Sequence, residues 1–261
     1  MRSRVQHWLT CPDPFPLLRK SLKLRATNTG NWYLHGKQYK TLKTGGSAFA
    51  WLYGAAGSGK TILSAGVIDD LQDFCRDDPA RSLAFYFFDF HDAEKQNPDS
   101  MLKNLISQFL ERCPSNPKAL LSAYEACGPG IRQPSNEQLL VSLKAILQRL
   151  PHSFIVLDAL DECSAREALF EVLEQIASWS LPSLRVILTS RREVDIEDAL
   201  ETLVPTDHRT CLESAVVDND IRTYVRERLS TDKTIARWRK DPELQTEIET
   251  TLGTMASGMC V

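Results

Sequence analysis

The 261-residue sequence predicts an α/β fold of three layers, with helices on both faces of a mainly parallel sheet and a partial helical subdomain at the C-terminal end. Three observations carry that expectation. Short, continuously apolar runs alternate with stretches of helical periodicity, as in strand–helix–strand units with right-handed crossovers. A glycine-rich turn, Gly54–Thr61, lies between the first apolar run and the first helical pattern. Polar residues, among them Asp158 and Ser190-Arg191, stand at the ends of later runs, where parallel sheets bind their ligands.

Residues 1–45 read as a basic segment, helical to irregular, with turn signals at Cys11-Pro12-Asp13-Pro14 and Thr29-Gly30-Asn31. Gly45-Gly46-Ser47 leads into the first strand, Ala48–Tyr53, and the main domain runs over residues 46–205. The helix after the turn carries Leu63, Val67, Ile68 and Leu71 at helical spacing. Ser82–Phe88 is a second strand, continuously apolar as a buried parallel strand is. Helical patterns follow at Ser100–Arg112 and Asn136–Leu150, the latter opened by the capping sequence Ser135-Asn136-Glu137-Gln138. Ser153–Leu157 is a third strand, Arg166–Trp179 a helix and Leu184–Thr189 a fourth strand. From 206 to 261 the pattern turns to charged helices, Asp218–Leu229 and Pro242–Met255, read as the start of a second, helical subdomain.

The turn reads Gly54-Ala55-Ala56-Gly57-Ser58-Gly59-Lys60-Thr61, the phosphate-binding pattern G-x-x-x-x-G-K-[ST]. Between a strand and a helix this pattern makes an anion site. Backbone N–H groups and the helix N-terminus converge on phosphate, and glycines let the chain approach without a Cβ in the way. Lys60 is the candidate contact to the β- and γ-phosphates, and the Thr61 hydroxyl the candidate ligand of Mg²⁺. The competing reading, a flexible turn that happens to precede a lysine, does not explain the flanking strand and helix.

The third strand ends in Asp158, followed by Ala159-Leu160-Asp161-Glu162. A carboxylate at the end of a buried strand holds Mg²⁺ through its water shell, and acids three and four residues later are placed to orient or activate a water. Taken alone, the same residues are a solvated acidic turn before a helix. The strand 82–88 lies in sequence between the phosphate-loop strand and the Asp158 strand, as in proteins that insert a strand between the two and use a catalytic acid. Arg191, after the fourth strand, is a candidate γ-phosphate sensor; the alternative is a surface arginine.

The seven cysteines occur singly, which argues for a reducing, cytoplasmic setting and against a disulfide framework or zinc cluster. No run is long and apolar enough for a membrane span, and the N-terminus has no signal-peptide core. Before Asp69 the only acid is Asp13 against ten lysines and arginines, so that segment carries +9. Such a segment can face nucleic acid, a membrane surface or a bound nucleotide. Without interleaved aromatics the favoured reading is a solvated basic face on an acidic domain, which makes nucleic acid an unexpected partner.

Leu52–Thr61, Asp158–Cys163 and Leu188–Arg191 together resemble a NACHT domain of the STAND class of P-loop NTPases. Thr29–Leu34 and Phe88–Asp92 are similar to fungal members grouped with the nephrocystin-3-like N-terminal region. The resemblance covers roughly residues 20–260. It implies binding and slow hydrolysis of ATP or GTP, with Mg²⁺, as a conformational switch in signalling or self-recognition. It assigns phosphate and Mg²⁺ contacts to Lys60 and Thr61, Mg²⁺ to Asp158, hydrolysis to Asp161 and Glu162, and γ-phosphate sensing to Arg191. It also implies effector and repeat segments and a winged-helix domain that are not recognisable here, so partners or self-association are expected through flanking regions. Two other readings stay open: a nucleotide-binding scaffold with negligible turnover, and an AAA+-like, nucleic-acid-directed ATPase. Base choice is open too; the absence of an N-K-x-D element leans toward ATP.

Overall fold

Alternation of side chains along a strand means that a run apolar at every position must be covered on both faces. The computed structural model describes residues 2–45, 48–112, 118–128, 130–212 and 215–231, with residues 243, 244, 247, 248 and 251 besides. In it the chain passes through α1 (Arg2–Trp8), α2 (Phe15–Leu24), α3 (Asn31–Leu34), α4 (Lys37–Thr44), β1 (Ala48–Tyr53) and α5 (Lys60–Arg76). Next come β2 (Arg81–Phe87), α6 (Pro98–Arg112), α7 (Lys118–Ala126), α8 (Asn136–Leu147), β3 (His152–Asp158) and α9 (Arg166–Ser178). The last are β4 (Leu184–Ser190), α10 (Val194–Glu201), β5 (Arg209–Cys211) and α11 (Ala215–Thr231).

The sheet is parallel throughout, in the order β2-β3-β4-β1-β5. Odd and even positions of its strands feed two separate cores. Trp51, Tyr86, Ile155, Leu157, Val186 and Leu188 pack under α6, α8 and α9. Leu52, Phe85, Phe87, Val156 and Ile187 pack under Leu63, Val67 and Ile68 of α5. This is the three-layer α/β/α arrangement of P-loop proteins.

The structure differs from the sequence reading in where the extra strand goes. β2, next in sequence after the phosphate-loop strand, lies at the sheet edge; β4 is the strand that separates β1 from β3. Both motif-bearing ends therefore flank β4, and Thr189 and Ser190 stand between them. The open edge of β2 is partly closed by α6: Gln108 accepts from the Phe85 N–H at 3.2 Å and donates to its carbonyl at 2.7 Å. β5 lies past position 205, in a stretch read as helix only; three residues of intermediate exposure give too short a signal.

The basic N-terminal segment is packed rather than extended. Trp8 meets Tyr124 of α7 edge to face at 5.4 Å and donates to the Arg132 carbonyl at 2.8 Å. Tyr39 and Lys43 of α4 both donate to the Asp70 carboxylate of α5, at 2.6 and 2.5 Å. Of the expected helix Pro242–Met255, and of the Gly46-Ser47 approach to β1, most lies outside the described residues.

Candidate functional site

The turn after β1 is shaped by its glycines. A Cβ at Gly54 would stand 2.8 Å from Ser58 Oγ, closer than real Cβ contacts, and 3.0 Å from Leu212 Cβ, tighter than most. Gly57 and Gly59 have φ of 75° and 83°, the left-handed region that glycine enters without steric penalty. Lys60 opens α5 and folds its ammonium back onto the turn, donating to the Gly54 and Ala55 carbonyls at 2.9 and 2.7 Å. Burial pushes its pKa down, against the pull of Asp161, Asp158 and Glu162.

Thr61, one residue on, donates its hydroxyl to Asp158 Oδ2 at 2.8 Å. The other carboxylate oxygen of Asp158 receives Thr189 Oγ1 at 2.6 Å, and Thr189 itself accepts the Ala159 N–H at 3.0 Å. α5, β3 and β4 thus meet at one carboxylate, which is 1% exposed. Burial pushes the Asp158 carboxyl up, and the hydroxyls of Thr189, Thr61 and Ser64 and the charge of Lys60 oppose it.

After Asp158 the chain turns sharply. Ala159 has φ 57° and ψ 54°, left-handed without being glycine, which costs about 1 kcal/mol. Ala159→Gly is accordingly expected to stabilise the protein by about 0.5–1 kcal/mol, read as a higher midpoint in urea unfolding. The turn delivers Asp161 and Glu162 to the phosphate-loop side. Asp161, its side chain 5% exposed, accepts the Arg191 N–H at 3.0 Å and pairs with the Arg191 guanidinium at 3.0 Å. Glu162 accepts the Phe90 N–H at 3.0 Å, and burial pushes its carboxyl up. Arg166 locks the turn from behind, donating to the Asp161 carbonyl and to Glu193 and Asp195.

All the residues singled out in the sequence converge on this end of the sheet. Ala56–Thr61, Asp161, Glu162 and Arg191 line one cleft of about 280 Å³. Gly54 and Ala55 adjoin it through the carbonyls that hold Lys60, and Asp158 lies next to it, bonded to Thr61. Beside the cleft, sharing Ser58, Gly59 and Ile62 with it, opens a second cavity of about 200 Å³. Leu24, Ala26, Trp32, Leu63, Leu212 and Tyr224 make it mostly apolar, and Asp220 is the acid on its wall.

A family model described as nephrocystin 3, N-terminal, matches residues 28–191. The chain belongs to this family. The match runs from the segment lining the second cavity to Arg191, and with it the chain carries a NACHT-like domain. Over 234 residues the chain is 25% identical to vegetative incompatibility protein HET-E-1 of Podospora anserina, covering 87% of itself and 17% of that protein. It therefore spans less than a fifth of that relative's length. Among solved structures, the Walker-type ATPase PABY2304 of Pyrococcus abyssi superposes with a TM-score of 0.49 at 15% identity, over 87% of this chain and 62% of that one. Drosophila ORC bound to DNA gives 0.47 at 14% identity, over 93% and 58%.

Sequence reasoning did not find Thr189, Arg166, Leu212, Asp220 or Tyr224. Thr189 was legible only as a strand residue, since its task is set by β4 lying beside β3. Asp220 is one acid among many in a charged helix, and nothing local marks it as facing a cavity.

Proposed function

We propose that this domain binds a Mg·nucleoside triphosphate in the 280 Å³ cleft, hydrolyses it slowly, and serves as a switch in signalling or self-recognition. The observation that carries the proposal is the convergence of Lys60, Thr61, Asp158, Asp161, Glu162 and Arg191 on that one cleft. Its helix N-terminus and turn N–H groups suit phosphate oxygens, and Lys60 adds a partly desolvated positive charge.

The donor set fits a divalent hard cation. A buried carboxylate and a threonine hydroxyl stand 2.8 Å apart, so Thr61 and Asp158 are the residues that would hold Mg²⁺, Asp158 through the ion's water shell. When bound, Mg²⁺ supplies charge neutralisation on the phosphate oxygens. Asp161 or Glu162 would take the proton of the attacking water, and the raised pKa of Glu162 suits a base at neutral pH. Arg191, held on Asp161, would swing its guanidinium toward the γ-phosphate. The pairing of Arg191 with Asp161 makes the acid and the sensor one unit that a γ-phosphate would separate. The incompatibility function named for HET-E-1 supports a role in self-recognition.

The measurement that decides is titration of the protein with ATP and GTP in the presence and absence of Mg²⁺, followed by phosphate release under single-turnover conditions. Binding without Mg²⁺ dependence, or none, overturns the proposal. Asp161→Asn is expected to retain binding and lower release by about a hundredfold or more. If the unmodified protein binds but releases no phosphate, a scaffold is the better description. That reading has one observation in its favour: both acids are already engaged, by Arg191 and by the Phe90 N–H.

A further inference from the structure

Two tethers join the turn after β3 to the loop after β4. The first faces the cleft: Asp161 accepts the Arg191 N–H and pairs with its guanidinium, each at 3.0 Å. The second is made by Arg166, the first residue of α9, which is not part of the cleft lining. Arg166 Nη2 donates to the Asp161 carbonyl at 2.6 Å. Its Nη1 donates to Glu193 at 2.6 Å and to Asp195 at 2.9 Å. Glu193 stands two residues after Arg191, just before α10 begins. Arg192, between them, is tied into α10 through both oxygens of Glu197. The loop that carries Arg191 is therefore anchored to the start of α10, and Arg166 connects that anchor to the main chain of Asp161.

We infer that Arg166 is a positioning residue for hydrolysis: it holds the Asp161 peptide against the start of α10 while Arg191 and the Asp161 carboxylate part. The inference rests on the triphosphate reading of the cleft and adds to it the residue that keeps acid and sensor in register. A γ-phosphate that draws Arg191 away opens the first tether just when Asp161 has to face the attacking water. The second tether survives that exchange, because Arg166 does not line the cleft and phosphate does not compete for it. Its contact to Asp161 is through the main-chain carbonyl, so the carboxylate stays free to act. The Arg166 side chain is 27% exposed, so its ion pairs are only partly screened by water. Without it the turn has lost a fixed donor, and Glu193 and Asp195 have lost the cation they share. Misplacing a reacting group by about 1 Å costs about a hundredfold in rate. The phosphate loop makes no contact with Arg166, so binding is left alone.

The test is single-turnover phosphate release from Mg·ATP and Mg·GTP as protein concentration is varied, which separates the maximal rate from the half-saturating concentration. Arg166→Ala is expected to lower the maximal rate by about tenfold to a hundredfold and to leave half-saturation within about threefold. Arg166→Lys is expected to recover part of the loss, since an ammonium can hold the carboxylates or the carbonyl but lacks the fork that reaches all three. The deciding comparison uses Asp161→Asn as the background. There Arg166→Ala is expected to lower release by less than about threefold further, because the group it positions is already gone. A loss that multiplies in full overturns the inference, since a merely structural role costs the same in either background. An Arg166→Ala rate within about twofold of the unmodified protein overturns it too, as does weaker half-saturation at an unchanged rate. If Arg166→Ala does not fold, Arg166→Lys is carried through the same cycle with the same criteria. Each of these failures leaves the triphosphate site standing. If the unmodified protein binds no nucleotide or releases no phosphate, the hydrolytic reading fails and this inference fails with it.

Discussion

Lys60→Ala is expected to weaken Mg·nucleotide binding by roughly three orders of magnitude while the domain stays folded. The ammonium now donates to the Gly54 and Ala55 carbonyls, so its position over the turn is fixed before phosphate arrives. Moving from those carbonyls to phosphate oxygens exchanges neutral acceptors for charged ones, and charge-assisted bonds are about twice as strong. Removing the charge leaves phosphate facing Asp161, Glu162 and Asp158 with Arg191 as the nearest compensation, and Arg191 is itself engaged by Asp161. The fold is expected to survive because the Lys60 side chain packs no core. It is partly buried, and freeing two carbonyls at a cleft open to water costs little. A second consequence follows from burial lowering the lysine's pKa. Affinity is expected to fall with rising pH sooner than an ordinary lysine near 10.5 dictates, because the bound state requires the ammonium. Calorimetric titration at several pH values measures both. Binding by Lys60→Ala within threefold of the unmodified protein would place the nucleotide elsewhere.

The parts of this site that were legible in the sequence share one property: their roles are local. Gly54–Thr61 needs a strand before it and a helix after it, and both are neighbours in the chain. Asp158 needs only the end of an apolar run. Ala48–Tyr53 was predictable to the residue because a strand buried on both faces leaves no polar position to blur its ends. What was not legible depends on the sheet order. Thr189 orients Asp158 only because β4, and not β2, lies between β1 and β3. The cavity beside the turn is assembled from residues 24–32, 58–63, 212 and 220–224, which no periodicity connects. α10, eight residues with only Ile196 and Leu200 buried, presents too narrow an apolar stripe to stand out. The basic segment's charge suggested a solvated face; its tyrosines and leucines, folded onto α5, decide its place instead.

Asp158→Asn is expected to separate stability from function, raising the first and abolishing the second. Asp158 lies next to the cleft at 1% exposure, and burial raises its carboxyl above the ordinary 3.8. An acid that is harder to ionise folded than unfolded is a burden on the fold. The contribution of Asp158 to stability is greatest below the unfolded value of 3.8 and declines as pH rises from there through the folded value. Asparagine removes that slope. Its carbonyl can accept from Thr189, whose own oxygen already receives the Ala159 N–H, and its amide can donate to Thr61 once that hydroxyl turns. No buried polar atom needs to be orphaned. The variant is expected to gain about 1–2 kcal/mol at neutral pH, some 2–8 °C in Tm, and to lose the advantage as pH falls toward 4. Mg²⁺-dependent binding is expected to fall several hundredfold, since a neutral amide does not replace a carboxylate beside a divalent ion. Urea unfolding across pH 4–8, run beside nucleotide titration, tests the pair. A variant that is less stable at neutral pH would show the carboxylate to be held chiefly by its hydroxyl donors; one that binds Mg·nucleotide normally would remove Asp158 from the site.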